Sequence, residues 1–161
     1  MKVHHRIAYS QKRNLIGIRL SMNIIENRTS ELWSKFMPNI SQVENRISKE
    51  FISLQNYPKG YFQDFDPTRT FEKWATVEVS EVLKMPKEMG HFVLEEGNYV
   101  VFDYKGLSND TSIFQYIFNE WLPSSPYQLD NRPHFEVLGE KYKNNDPNSE
   151  EEIWIPIQSV K

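Results

Sequence analysis

HFEVL, residues 134–138, sets a carboxylate among apolar and aromatic neighbours. In a strand, Phe135 and Val137 face one way and Glu136 the other. A carboxylate taken out of water is costly unless something offsets its charge. Glu136 therefore points either to solvent or into a cavity that awaits a positive partner. A second pattern of this kind is EIWIPI, residues 152–157: Glu152, Trp154 and Pro156 share one face, and Ile153, Ile155 and Ile157 the other. Carboxylates beside large rings suit the binding of hydrophobic or aromatic cations. The ring faces attract positive charge, and the carboxylate offsets the cation's lost hydration. Both glutamates equally suit the solvent face of a one-sided sheet.

Other rings are candidates for the same surface. Aromatic residues make up 14% of the chain, enough for a core and a lined pocket together. Trp74 lies opposite Ala75 and Val77 on its strand, so its ring needs either cover or a pocket. Tyr61, Phe62 and Tyr104 are further candidates. Trp33 and Phe36 fall on a helical stripe and read first as core, with a role beside a cleft as the alternative. Arg132 can pair with Asp130 or with Glu136 itself, and the second pairing would silence the site.

Rival chemistries find little support. The chain has no cysteine, which removes disulfides, thiolate metal sites and a Cys nucleophile. His4, His5, His91 and His134 do not form a metal-binding spacing. There is no nucleophile elbow, phosphate loop or dinucleotide fingerprint. No metal or cofactor is expected. Net charge is −3 without a basic block, so direct nucleic-acid binding is not expected. No stretch approaches the roughly 20 apolar residues of a membrane span, and the N-terminus carries no apolar signal core. The expectation is a cytoplasmic protein that does not engage a membrane.

These side chains need a scaffold. HHRIAYS and LIGIRLSM predict two strands joined by the polar QKRN. RTSELWSKFMPNISQVENRIS predicts a helix capped by Thr29 or Ser30. Its stripe is Leu32, Trp33, Phe36, Met37 and Ile40, extended by Val43 and Ile47 and interrupted at Pro38. FEKWATVEVSEVL alternates as a strand with one buried face, and KMPKEMG is a linker. HFVLEEGNYVVFDYKG predicts a hairpin. NDTSIFQYIFNEWL predicts a helix ended by Leu122-Pro123 and capped by Asn109, Asp110 or Ser112. PHFEVLGEKY and EIWIPIQ predict the last strands. Two similar modules result, about 3–80 and about 88–158, within one domain spanning 1–161. Merging their sheets, with both helices on one face, builds a single core and leaves a groove between the halves.

GNYVVFDYKG, a helix ending in EWLPSSPYQLDNRPHFEVLG, and EEIWIPI together resemble the GyrI-like family. Its members include the effector-binding domains of AraC-type and MerR-type drug-responsive regulators. The likeness runs from about His5 to Ile157, and its most specific motif is W-L-P-x-S-x-Y-x-L-D-x-R-P-x-F-E. FEKWATVEV is similar to the family's first-half strand. The resemblance implies an α+β fold of two strand-helix-strand-strand modules related by a pseudo-twofold, with a ligand cleft between them. It implies binding of hydrophobic, frequently cationic, small molecules, with the acidic residue of the F-E position, Glu136, deep in that cleft. It also lays the strand of Glu152 and Trp154 along the same cleft. Tyr61, Trp74 and Tyr104 are the next ligand candidates, then Trp33 and Phe36.

The leading expectation is a non-enzymatic receptor or sequestering protein, standing alone without a DNA-binding segment. One alternative is a hydrolase of reactive electrophilic compounds, with Glu136 as base and Tyr61 or Tyr104 nearby. Desolvation in an apolar cleft would raise the glutamate's pKa and suit it to that work. Another is a protein-interaction module, like the gyrase inhibitor that names the family, with acidic residues 146–152 on its surface.

Overall fold

The computed structural model describes residues 3–160. Nine strands are present among them: β1 (His5–Ser10), β2 (Arg13–Met22), β3 (Phe51–Asn56), β4 (Phe71–Val79), β5 (Gly90–Leu94), β6 (Gly97–Lys105), β7 (Tyr127–Leu129), β8 (His134–Leu138) and β9 (Glu150–Ser159). Their order is β1-β6-β9-β8-β3-β4-β2-β5, with β7 added alongside β9. Every strand pairing is antiparallel. The fold is α+β, as expected, and two helices pack on one face of the sheet.

Helix α1 (Thr29–Phe36) carries Leu32 and Phe36 onto Ala75, Val77 and Val79 of β4. Its first turn is held by Asn27, whose Oδ1 accepts from the Thr29 amide at 3.0 Å, in place of the expected caps. At Pro38 the chain tightens into a 3-10 turn, Met37–Gln42. Helical structure does not continue to Ile47, which is exposed. The second helix starts as α2 (Ser112–Tyr116). Asp110 Oδ1 accepts its first amide at 2.9 Å. It continues through a π-helical turn, Ile117–Trp121, into a last turn, α3 (Leu122–Ser124). It covers Ile153, Ile155 and Ile157 of β9.

The opposite face of the sheet is also buried. Leu15, Ile52, Leu54, Trp74, Tyr99, Phe135 and Trp154 form a third cluster there. Strand β4 thus has two buried faces, where the sequence suggested one. No helix packs in this third cluster, so the sheet must curl to cover it. The connectivity explains how. β1 and β2 belong to opposite ends of the strand order, yet only Gln11 and Lys12 separate them. Such a link spans about 10 Å at most, so the two ends of the sheet converge.

The expected hairpin at 91–105 is not formed. β5 pairs with β2, and β6 pairs with β1. Each half lends an edge strand to the other. Local alternation in HFVLEEGNYVVF gave both strands correctly but carried no information about their partners. β3 was also missed: FISLQN is a short apolar run behind a helical stripe, and periodicity alone does not separate the two. Gly17 marks the tightest approach in the sheet. A Cβ there would lie 1.8 Å from the Ala75 carbonyl oxygen.

Candidate ligand-binding crevice

Glu136 lies on the helix-covered face. On β8 it stands opposite Ser53 of β3 and Ile153 of β9. The small side chains of Ser53 and Ala75 keep this part of the floor low, between the packing of α1 on one side and of the second helix on the other. The same face brings in Gln55 from β3, Lys73 from β4 and Glu151 from β9. Gln55 Nε2 donates to Glu136 Oε1 at 3.1 Å. Glu151 is the diagonal neighbour of Glu136 across the β8–β9 pair. Lys73 Nζ donates to Thr29 Oγ1 at 3.0 Å, at the start of α1.

Rings wall one side of this cluster. His134, buried on β8, is stacked by Phe62 at 5.1 Å and approached edge-on by Tyr57 at 4.9 Å. Phe118, from the π-helical turn, stacks on Phe62 at 5.4 Å. Tyr61 lies 4.7 Å from Tyr57, and Phe71 lies 5.0 Å from Tyr57. The loop following β3 thus drapes two rings, Tyr57 and Phe62, against the second module, with Tyr61 packed behind them.

Glu136, Glu151, Lys73 and Tyr57 are each half-buried: they touch water yet are enclosed enough for desolvation to dominate their proton affinity. Side chains that are enclosed yet touch water make this cluster the candidate crevice. Burial raises the Glu136 carboxyl, opposed by Lys73 and by the Gln55 hydrogen bond. Burial, then the charge of Glu136, pushes Glu151 up to about 8, again opposed by Lys73. Burial lowers the Lys73 ammonium, opposed by both glutamates. Burial, then Arg132, lowers His134 to about 3, so its imidazole is neutral at physiological pH and serves as a flat ring. Burial raises the Tyr57 phenol, as do Glu136 and Tyr61. Burial thus works against charge on Glu136, Glu151 and Lys73 alike, and the rings beside them are neutral.

Of the residues singled out from sequence, Glu136 and Tyr61 come to this region, together with Phe62. Glu152 and Trp154 do not. Ile153 is the residue opposite Glu136, so the residues flanking it on β9 point through the sheet to the far face. There Glu152 is bonded by Arg6 at 3.0 Å and by the Trp154 indole N–H at 3.1 Å. Trp74 is on that far face too, its indole N–H donating to Glu72 at 2.6 Å under Arg19. Tyr104 packs beneath the second helix and donates to the Leu107 carbonyl at 2.7 Å. Phe36 is fully buried under α1, and Trp33 packs against it and Phe51. Arg132 pairs with Asp130 at 2.6 Å and leaves Glu136 free.

The residues that sequence reasoning missed are Lys73, Gln55, Tyr57, His134 and Glu151. Two had a visible signal. Lys73 is in phase with Ala75, Val77 and Val79, and Glu151 with Ile153, Ile155 and Ile157. A charge in phase with a buried face is unusual enough to mark a site.

A separate groove, about 860 Å³, lies at the β2–β5 end of the sheet, lined by Gly17, Arg19, Glu72, Trp74, Gly90 and Phe92 among others. Its carboxylate, Glu72, is already held by Arg19 at 3.2 Å and by Trp74. Among the described residues Glu136, Glu151 and Lys73 form no ion pair within 4 Å. Among the described residues there is no metal-binding cluster, and no helix is long and apolar enough to cross a membrane.

No curated protein is significantly similar in sequence. Solved structures share the fold at low identity. SAV2435, solved bound to tetraphenylphosphonium, matches with a TM-score of 0.70 at 15% identity over 96% of this chain and 94% of its own. The C-terminal domain of EcmrR matches with a TM-score of 0.71 at 14% identity, over 99% of this chain and 100% of its own. The integron cassette protein VCH_CASS2, from the mobile metagenome of Vibrio cholerae, matches with a TM-score of 0.63 at 16% identity, over 96% and 95%. The family model Cass2, integron-associated effector binding protein, matches residues 6–157. With nearly its whole length matched, this GyrI-like chain belongs to the Cass2 family of integron-associated effector-binding proteins.

Proposed function

We propose that the crevice headed by Glu136 binds hydrophobic small molecules carrying a positive charge. Glu136 is the observation that carries this reading. It is a carboxyl group withdrawn from bulk water beside a wall of rings, with Gln55 as its one hydrogen-bond partner among the described residues. Family membership supports a small-molecule effector, and a neighbour of the same fold was solved with a lipophilic cation. Tyr57, Phe62 and Phe118 would supply contact area, and Glu136 would offset the cation's lost hydration. Stacked rings demand no single ligand shape, which suits a broad ligand range.

Calorimetric titration with tetraphenylphosphonium tests the reading, using triphenylphosphine oxide as the neutral control. Wild type should bind the cation saturably and in preference to the oxide. Glu136→Gln, checked for folding by its melting curve, should weaken cation binding by about tenfold or more, equivalent to about 1.4 kcal/mol. Equal affinity of the two proteins for the cation would remove Glu136 from the site.

A further inference from the structure

The crevice holds a positive group as well as negative ones. Lys73 and Glu136 are separated by two strand spacings and two residues of offset, about 12 Å between their Cα atoms. Their long side chains could approach each other, yet Lys73 makes no ion pair within 4 Å among the described residues. It ends instead on the neutral hydroxyl of Thr29. That hydroxyl begins α1, where the free amide ends of the helix already supply positive potential. Glu31, also in the first turn, is committed to Arg28 at 2.7 Å and Lys35 at 3.1 Å on the exposed side. At the other pole, among the described residues, Glu136 has one oxygen without a hydrogen bond and the Glu151 side chain makes none. Ions drawn from water and then held apart lose hydration without gaining each other, an arrangement that a structural ion pair avoids.

Resting on the receptor reading above, we propose that the ligand is bipolar: its cationic group meets Glu136, and an anionic oxygen group, such as a carboxylate, meets Lys73 at the start of α1. A bipolar ligand brings each pole a partner of opposite sign, which no described residue supplies within 4 Å.

A matched pair of dyes tests this: tetramethylrhodamine, with its free carboxylate, and tetramethylrhodamine methyl ester, which keeps the cation and lacks the anion. Binding is followed by fluorescence anisotropy on wild type, Lys73→Met and Glu136→Gln. Wild type should bind the free acid at least tenfold more tightly than the ester. Lys73→Met should abolish that preference by weakening the acid, and Glu136→Gln should weaken both dyes. Should Lys73→Met fail to fold, Lys73→Gln keeps a donor for Thr29 while removing the charge, and the wild-type preference stands by itself as a readout. Equal or tighter binding of the ester by wild type, or an acid preference that survives loss of Lys73, overturns the bipolar ligand. Glu136-dependent binding of the ester would still uphold the receptor reading. Failure of wild type to bind either dye overturns both.

Discussion

Replacing Glu151 with glutamine should change how stability responds to pH, in a direction opposite to that of most ion-paired carboxylates. The folded state holds the Glu151 proton up to about pH 8, whereas an unfolded chain releases it near 4.5. Between those values the folded protein binds more protons than the unfolded one, so stability falls as pH rises, and the loss is complete once pH passes the folded value. A fully isolated group would give a slope of about 1.4 kcal/mol per pH unit. Glu151 shares its proton affinity with Glu136 and touches water, so about 1 kcal/mol per unit is the expected slope. From pH 6 to pH 8 this amounts to about 2 kcal/mol, or roughly 4–8 °C in melting temperature for a chain of this length. Glu151→Gln mimics the protonated side chain and should lack this component. Groups other than Glu151 that titrate are common to both proteins. The decisive quantity is therefore the difference between the two melting-temperature curves, measured by circular dichroism at half-unit steps. The variant should gain on wild type steadily from pH 6 and level off above about 8. Parallel curves would refute a protonated Glu151.

Gly17→Ala should cost about 3 kcal/mol or prevent folding, because its Cβ would collide with the Ala75 carbonyl; a urea melt reads this directly. Trp154→Phe should lower stability by about 1–3 kcal/mol while leaving tetraphenylphosphonium affinity within twofold of wild type, since that ring packs on the far face of the sheet. Phe62→Ala removes the ring sandwiched between His134 and Phe118. It should speed ligand association in stopped-flow measurements at a stability cost of about 1 kcal/mol.

The strands and both helices were largely legible because alternation and helical spacing are local signals. Glu136 stood out for the same reason. Which face of its strand meets the helices was not legible, because β8 is buried on both sides: Phe135 and Val137 look like residues beneath a helix, and they pack away from both helices. That ambiguity carried Glu152 and Trp154 to the wrong side of the sheet. The partners of Glu136 come from β3, β4 and β9, and only pairing register brings them together. The strand exchange was hidden for a related reason. A two-residue polar link such as Glu95-Glu96 before Gly97 reads as a turn, and only the competition with β1 and β2 shows that β5 and β6 separate.

That exchange has a consequence for how the chain is made. On the ribosome, β2 and β4 emerge long before β5, and β1 emerges first of all, although its register begins with His5 against Phe102. During synthesis the first module therefore carries an unpaired edge at β2, and the exposed Ile7 and Tyr9 of β1 have no sheet to join. β2 is covered once β5 emerges, β1 once β6 does, and the far edge of β3 only when β8 arrives. A nascent chain exposed only as far as residue 90 would offer the bare edges of β1, β2 and β3 to any neighbour, so chaperone demand should peak there and fall stepwise as β5, β6 and β8 emerge.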